Sequence, residues 1–386
     1  MFSAAELEGL PEGLVKIFTG LQDRILLDIV RRLKANAGEI TRSADWQIYR
    51  LHELGAASDE IRMEIQDAMR LADDEVDAIY EAVLAEDYVR MRALYERLGR
   101  EVVPYSENTW LMQLVEAIRT QTRDTLHNIT GTLGVAASNK GRVNLISLTQ
   151  YYTDTMDGAV LDIASGAFDY NAVLRRVVRE LTYSGIRHID YESALGRPTS
   201  ARIDVAARRA IMTGVGQLTG QISERNASEL GTDTYEVSVH TGARPSHLVW
   251  QGGWFTMEQL RSVCGYGDVA GLKGANCRHD FYPVIPGIDK PAYSAEDLAD
   301  IRRDEQTPRE YLGKEYTLYE ATQRQRELER TLRARRQSIK LLEAGGADAE
   351  DITKERASYR AVSQEYTRFS KAMGIPEQRE RIKIIG

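Results

Sequence analysis

The chain has 386 residues, of which 42% are hydrophobic and 28% are charged, and its formal net charge is −8. This length supports two or three domains with a sizeable core, and this composition is typical of a globular protein rather than of an intrinsically disordered chain. Two cysteines cannot form the disulfide framework of a secreted protein, and neither a signal peptide nor an apolar run of membrane-spanning length is recognisable. We therefore expect an intracellular protein whose negative charge disfavours coating of nucleic acid over its whole surface.

The first hundred residues have helical periodicity. Between Gly13 and Ala35, apolar residues recur at every fourth position and so fall on one helical face: Ile17, Leu21, Ile25, Ile29 and Leu33. Shorter helices are predicted at about 43–54, 58–70, 74–84 and 86–99, with Gly55 and Gly99 as stops. Residues 1–105 are therefore predicted to form an N-terminal helical array.

A second helical block is predicted over residues 106–190, interrupted by a loop at 131–141 that glycines begin and end. The following helix is expected to begin near Pro198 and to end at Gly231. Glycines inside this helix each cost about 1 kcal/mol relative to alanine, so another element should pack closely against Gly214, Gly216 and Gly220.

The hydrophobic period changes between Thr234 and Pro286, where apolar residues alternate, aromatic residues cluster, and glycine and proline punctuate short runs. This pattern predicts a small β-containing module within a central domain at 191–290. In the last domain, 291–386, a long helix is expected after Thr307-Pro308, followed by a break at Gly345-Gly346 and a returning helix. The predicted fold class is α+β, predominantly α-helical with a small central β-containing module and a C-terminal antiparallel helical hairpin.

The window from Val239 to Gly287 concentrates residues that are rare elsewhere in the chain. It contains three of the six histidines, both cysteines and two of the four tryptophans. Cys264, Cys277 and His279, with His240 or His247, have the donor atoms for tetrahedral zinc. The spacing argues against a metal, because Cys277 and His279 are separated by one residue and no paired CxxC motif occurs. We therefore predict no metal and no cofactor.

A nucleophilic enzyme is the second interpretation of the window. Cys277 or Cys264 would attack, a histidine (His240, His247 or His279) would act as base, and Asp280 could orient that base. No catalytic signature, P-loop, dinucleotide fingerprint or HExxH motif supports this chemistry. The structural interpretation is favoured: glycines allow tight turns, tryptophans fill a small core, and polar side chains tie the loops together. The residues predicted to hold the module together are Arg209, His240, Arg244, His247, Trp250, Gly252, Cys277 and His279.

A basic stripe occupies the first predicted helix of the C-terminal hairpin. Its candidate nucleic-acid contacts are Arg324, Arg330, Arg333, Arg335, Arg336 and Lys340. Charge runs of this type are more often solvated faces than phosphate-binding sites. If the stripe binds DNA, its affinity should fall steeply with salt because counterions are released on binding.

The central window resembles the signature of a tailed-phage family, phage minor capsid protein 2, which is similar in kind to the Mu F-type head morphogenesis proteins. The resemblance rests on the sequence HTGARPSHLVWQG at His240–Gly252 and GANCRH at Gly274–His279. It extends to segments 46–48, 51–55, 209–217, 226–231 and 373–379. The Cys-Arg-His ending departs from the Cys-Arg-Cys of some related head proteins, which weakens a metal site built on paired cysteines.

The resemblance implies a low-copy structural component of the virion head interior, associated with the portal vertex and acting in head morphogenesis, DNA packaging or DNA delivery. The implied partners are the portal protein, other phage head proteins and packaged DNA, and the implied place of synthesis is the bacterial host cytoplasm. The resemblance implies no enzymatic activity. The alternative is a metal- or cysteine-dependent hydrolase, or a delivered effector, that uses His240, Cys277 and His279.

Overall fold

The computed structural model describes residues 4–36, 44–101, 103–139, 142–164, 168–190, 198–274 and 276–382. Most of these residues are helical, and the strands form small antiparallel sheets, which confirms the predicted α+β class. The chain packs as two compact units. Unit 1 comprises Met1–Leu14, Asp73–Thr125 and Arg208–Arg324, and unit 2 comprises Val15–Ala72, Leu126–Ala207 and Gln325–Gly386. The division into four consecutive domains stays a prediction.

The N-terminal region contains helices α1 (Ala4–Gly9), α2 (Glu12–Asn36) and α3 (Ala44–Arg97). The amphipathic pattern of α2 is confirmed, because Leu21, Ile25, Ile29 and Leu33 are buried. The prediction of four shorter helices after residue 43 is wrong, since α3 runs without a break through position 55. A single glycine costs a helix only about 1 kcal/mol, which a long helix can absorb. Gly99, with φ of 66°, ends the helical region as predicted.

Unit 2 contains a four-stranded antiparallel sheet in the order β2-β1-β3-β4. Its strands are β1 (Leu133–Asn139), β2 (Arg142–Ser147), β3 (Arg187–Asp190) and β4 (Thr199–Arg202). Helices α5 (Leu148–Ala164) and α6 (Tyr170–Ser184) pack against it, and α4 (Thr109–Gly131) precedes β1 in the chain. The prediction of a loop at 131–141 is therefore wrong for residues 133–139, which form β1. Position 134 within this strand requires glycine, because a Cβ atom there would stand 2.3 Å from the Ile146 carbonyl oxygen on β2.

Helix α7 (Ile203–Leu230) follows β4 directly, so it begins later than predicted and ends as predicted. The close approach expected at its glycines is present. A Cβ atom on Gly214 would lie 1.9 Å from the Tyr80 hydroxyl oxygen of α3, and one on Gly220 would lie 2.7 Å from the Tyr266 hydroxyl oxygen. The Tyr80 hydroxyl is hydrogen-bonded to Thr122 Oγ1 of α4 at 2.7 Å, so this packing is polar as well as tight.

The predicted β-containing module is confirmed in unit 1. Strand β5 (Thr234–Val237) pairs with β6 (Trp254–Thr256) on one side and β7 (Phe281–Val284) on the other, both antiparallel. Two short helices, α8 (Pro245–Leu248) and α9 (Met257–Ser262), lie in the connections. The core of the module contains Ala227, Tyr235, Val237, Trp250, Leu260, Cys264, Leu272 and Phe281.

The C-terminal region contains α10 (Ala295–Gln306), β8 (Arg309–Tyr311), β9 (Lys314–Tyr316), α11 (Leu318–Gly345) and α12 (Ala349–Met373). The helical hairpin is confirmed: Gln325 bonds Ser370 and Arg335 bonds Glu355, so the two helices run antiparallel. Helix α11 begins later than predicted, because 309–316 forms a two-stranded hairpin whose turn residues Leu312 and Gly313 both have positive φ. Within the described part of the chain, no helix combines the length and the apolar character needed to cross a bilayer.

Candidate functional site

Four reactive side chains of the central window come together beside the three-stranded sheet of unit 1. We call His240, His247, Cys277 and His279 the His–Cys cluster. His240 lies in the loop after β5, His247 on α8, and Cys277 and His279 in the segment that leads into β7. The His247 and His279 side chains are 2% and 3% exposed, His240 is at the edge of burial, and Cys277 is half-buried. The cluster is thus an interior feature of the module.

Backbone geometry places the α8 segment against the sheet. Pro245 occupies the first turn of α8, where its missing N–H costs no hydrogen bond. After the helix, the Gly252 N–H donates to the Val237 carbonyl and the Val237 N–H donates to the Gly253 carbonyl, each at 3.0 Å. Gly252 has φ of 72°, and a Cβ atom there would stand 2.5 Å from Leu298 Cδ2. Glycine is required at this turn for both reasons.

Three donor atoms of the cluster face one another. The two Nδ1 atoms of His247 and His279 are 3.4 Å apart. The Cys277 Sγ atom lies 3.7 Å from the first and 3.6 Å from the second. Among the described residues, this group meets the distance requirement for ligands of one metal ion. The sequence spacing argues against such a site, but the fold places His247 of α8 against Cys277 and His279.

The opposite ring nitrogens of these histidines contact oxygen atoms. His247 Nε2 lies 2.9 Å from the Ala270 carbonyl oxygen, and His279 Nε2 lies 3.1 Å from Gln251 Oε1. The same Gln251 oxygen accepts a hydrogen bond of 3.2 Å from the backbone N–H of His240. Each ring is therefore fixed from outside as well as from the centre.

Aromatic rings surround the cluster. The Trp250 ring lies 4.5 Å from the His247 ring and 4.7 Å from the His279 ring, measured between centroids. The His240 ring stacks on the His279 ring at 4.2 Å, and its Nδ1 atom lies 3.2 Å from the Thr241 carbonyl oxygen. This packing encloses the cluster and restricts the rotation of its side chains.

Burial controls the protonation of the cluster. It lowers the pKa of His240 to about 4 and that of His279 to about 2, and it lowers the pKa of His247 as well. It also raises the pKa of the Cys277 thiol, against the smaller effect of the His279 backbone N–H. Without a bound cation, the imidazoles are therefore neutral at neutral pH.

The charged residues near the cluster are paired with one another. Lys273 and Asp280 form an ion pair in which both side chains are almost fully buried, and Arg278 pairs with Glu8 at 2.8 Å. The Asp280 carboxylate also accepts a hydrogen bond from the Phe281 N–H at 2.8 Å. The described contacts of the Asp280 carboxylate are therefore with Lys273 and the Phe281 N–H, both through Oδ1, and none of them is with a histidine.

The structure brings together most of the residues predicted to hold the module. His240, His247, Trp250, Cys277 and His279 form one group; the Arg244 guanidinium reaches the Ala270 carbonyl at 3.4 Å, and Gly252 makes the turn behind them. Arg209 is different, because it is exposed on α7 and no described contact links it to the cluster.

Some residues of the site were missed and one candidate lies elsewhere. Cys264 packs in the core of the module and not at the cluster. Sequence reasoning missed Gln251 and Lys273. The Trp-Gln-Gly sequence could have indicated Gln251 as a site residue, whereas no local sequence signal marks the Ala270 carbonyl.

Carboxylates and backbone carbonyls engage much of the basic stripe of α11. Arg335 pairs with Glu355 at 3.0 Å, Lys340 with Asp23 at 3.3 Å and Arg333 with Asp204 at 3.8 Å, while Arg336 donates to the Ile382 carbonyl. Arg330 is exposed and Arg324 is half-buried. A cavity of about 340 Å³ beside the stripe has mixed charge, since its lining includes Arg202, Arg333, Arg336, Lys340, Asp23, Asp204 and Glu343. The stripe is thus mostly an intramolecular ion-pair surface.

Comparison with known proteins gives one finding that covers nearly the whole chain. A family model described as Phage minor capsid protein 2 matches residues 3–370. No curated protein and no solved structure matches the chain. The match includes the His–Cys cluster, the four-stranded sheet and almost all of the C-terminal hairpin.

Proposed function

The chain belongs to the phage minor capsid protein 2 family, and from this premise we propose that it is a low-copy protein of the virion head interior, bound at the portal vertex. Family membership makes it a structural protein of the phage head whose partners include other head proteins. The finer proposal adds the portal protein as its direct partner and a role in head assembly, DNA packaging or DNA delivery. It is synthesised in the bacterial host cytoplasm before assembly.

The match over residues 3–370 carries this proposal, because it extends over the described elements from α1 into α12 and is not limited to one motif. A local match to the His–Cys cluster alone would fit a module shared with unrelated proteins. Both compact units fall almost entirely within the matched range. The head role is therefore assigned to the chain as a whole.

Exposed apolar side chains suggest where unit 1 meets a partner. Val103, Tyr105, Trp110 and Met112 are all exposed within a short segment that leads into α4, and Met112 is 44% exposed. Large apolar side chains concentrated at a surface are typical of protein–protein contact sites. We assign this segment, 103–112, to the contact with the portal.

Co-expression with the portal protein of the same phage tests the proposal. The expected result is a stable complex after co-purification, with additional density on the portal in electron micrographs. The double variant Trp110→Ser, Met112→Ser should lose most of the complex while its thermal unfolding stays close to that of the wild type. Leu312→Ser is the matched control, because Leu312 is 83% exposed in a turn of the same unit. A wild-type chain that shows no association with the portal would refute the portal assignment.

The geometry supports a structural role for the cluster more than the alternative of a hydrolase or delivered effector. Within the described residues, no carboxylate contacts the ring nitrogens of His247 or His279, and their Nε2 atoms instead face a carbonyl and an amide oxygen. The burial that raises the pKa of Cys277 opposes formation of a nucleophilic thiolate. Both features favour a module that is held rigid over one that performs nucleophilic catalysis.

A further inference from the structure

We propose that the His–Cys cluster binds one zinc ion through His247 Nδ1, His279 Nδ1 and Cys277 Sγ. This site is independent of the proposed head function, which rests on the family match. It would join α8 to the segment before β7, two parts of the module that are distant in sequence and that bury the same core.

The distances among the three atoms are those that tetrahedral zinc requires. With Zn–N bonds of about 2.0 Å and Zn–S bonds of about 2.3 Å, tetrahedral angles place two nitrogens about 3.3 Å apart and nitrogen and sulfur about 3.5 Å apart. The distances in the structure are 3.4 Å between the nitrogens and 3.6 and 3.7 Å from nitrogen to sulfur. One ion can therefore reach all three atoms without movement of the backbone.

The outer hydrogen bonds of the histidines fix the tautomer that a metal needs. The Ala270 carbonyl can only accept, so His247 Nε2 carries the proton and its Nδ1 presents a lone pair to the centre. Gln251 Oε1 accepts from the His240 N–H, so the same oxygen also accepts from His279 Nε2. The reverse orientation of the amide would set the Gln251 Nε2 donors against the His240 N–H. Oxygen atoms behind metal-binding imidazoles are a recurring outer shell of zinc sites.

This arrangement is poorly satisfied by the protein alone. Two Nδ1 lone pairs face each other at 3.4 Å, and the single S–H of Cys277 can donate to only one of them. A buried acceptor without a donor costs about 1–3 kcal/mol. A cation at the centre would satisfy both nitrogens and the sulfur at once.

One backbone donor also points at the sulfur atom. The His279 backbone N–H lies 3.4 Å from Cys277 Sγ in donor geometry. When zinc binds, the thiol proton leaves to solvent and the thiolate coordinates the ion.

The donor set selects the class of metal. Two imidazole nitrogens and one thiolate suit zinc, whereas magnesium and calcium require oxygen ligands. The three atoms leave one tetrahedral position, which a water molecule would complete. The His240 ring stacks on His279 at the rim of the cluster and does not belong to the ligand set.

Metal analysis of the full-length chain tests the proposal directly. The protein is purified under reducing conditions, stripped with a chelator, and titrated with Zn²⁺ in competition with a chromophoric chelator. We expect about one zinc ion per chain, as for a single tetrahedral site. The variants Cys277→Ser and His279→Gln should no longer take zinc from the chromophoric chelator. Gln251→Leu removes an outer contact and should weaken zinc binding by about 10- to 100-fold.

Matched controls separate a lost ligand from a damaged fold. Cys264→Ala removes the other thiol, which lies in the core outside the cluster, and His127→Gln removes an exposed histidine on α4. Both should keep the wild-type zinc stoichiometry, and circular dichroism should confirm that every variant is folded.

Cobalt replacement gives a measurement that needs no variant. Co²⁺ bound by the wild-type chain should show tetrahedral visible bands and a thiolate charge-transfer band. A folded wild-type chain that competes no better than Cys277→Ser, or that binds Co²⁺ without the thiolate band, would overturn the assignment. Neither outcome would bear on portal association, which is measured separately.

Discussion

At the scale of single residues, the buried ion pair between Lys273 and Asp280 is the most consequential charge arrangement beside the cluster. The two side chains are 7% and 4% exposed. Lys273→Met keeps most of the side-chain volume but leaves the Asp280 carboxylate buried without its cation. Loss of one partner of a buried pair costs about 3–5 kcal/mol, so we expect a loss of this size in the free energy of unfolding, measured by urea denaturation.

The control for this substitution is Arg303→Met. Arg303 pairs with Asp300 on the surface of α10 at 3.0 Å, and both side chains are largely exposed. Exposed ion pairs contribute less than about 1 kcal/mol, so this variant should unfold close to the wild type. Equal effects of the two substitutions would show that the buried pair does not have the predicted role.

Gly214 provides a second prediction at this scale, because its importance is visible only in three dimensions. Alanine is the better helix former by about 1 kcal/mol, yet its Cβ would stand 1.9 Å from the Tyr80 hydroxyl and 2.6 Å from Thr122 Oγ1. The overpacking should destabilise Gly214→Ala by about 1–3 kcal/mol despite the better propensity. Gly158→Ala on α5 is the control, since nothing lies within 4 Å of its added Cβ. There the melting temperature should stay the same or rise; a rise for Gly214→Ala as well would contradict the packing argument.

At the scale of elements, the sequence predicted those whose signal is local. Helix α2, the end of α7 at Gly231 and the break at Gly345-Gly346 all follow from periodicity and helix stop residues. Strand β1 was missed because residues 131–141, with a glycine at each end, were interpreted as a loop, although the close approach of β2 requires the glycine at position 134. The hairpin at 309–316 was missed because Leu312 adopts a positive φ, which the residue type does not indicate.

The candidate site was predictable in its members and not in its geometry. The density of histidine, cysteine and tryptophan identified the window, and all four cluster residues were named. The one-residue spacing of Cys277 and His279 argued against metal binding because ligand-spacing rules describe paired ligands within one short motif. They do not describe ligands from a helix and a separate segment that the fold brings together. Gln251 and the Ala270 carbonyl set the ring orientations, and neither role can be predicted without the fold.

Helix α11 carries the remaining prediction at this scale, the candidate DNA contact. Arg333, Arg335 and Lys340 already pair with carboxylates, so binding to phosphate would require these pairs to break. We expect a duplex DNA shift assay to show retardation only at low salt and none at about 0.15 M. Retardation that persists at that salt concentration, and that Arg330→Ser with Arg336→Ser abolishes, would instead establish the stripe as a nucleic-acid interface.

At the scale of the whole molecule, the amino-acid sequence of one window carried more functional information than composition or periodicity. An acidic, mostly helical chain fits many functions, whereas the run from His240 to Gly252 resembles one phage family, and the family match covers residues 3–370. Composition could not give this assignment because helix-forming sequences are shared by unrelated folds. The residues that identify the family are also those that build the His–Cys cluster.

The assembly of each unit from separate segments leads to the last prediction. Four consecutive domains would imply that fragment 291–386 folds by itself. In the structure, however, α12 and the part of α11 from Gln325 onward belong to unit 2 together with 15–72 and 126–207. Gln337 bonds Asp23 of α2 at 2.7 Å, and Tyr170 of α6 bonds the Gly345 carbonyl at 2.7 Å. A Cβ atom on Gly345 would lie 2.6 Å from Leu174 of α6 and 2.9 Å from Val30 of α2, so the hairpin end packs tightly on both helices.

We therefore expect the isolated fragment 291–386 to have helical circular dichroism but no cooperative thermal transition, because the surface that covers its apolar seam is missing. The full chain measured under the same conditions is the control and should unfold cooperatively. Adding a second fragment, 1–290, should restore cooperative unfolding if the packing on α2 and α6 is what stabilises the hairpin. A sharp transition of fragment 291–386 alone would instead support an independent C-terminal domain.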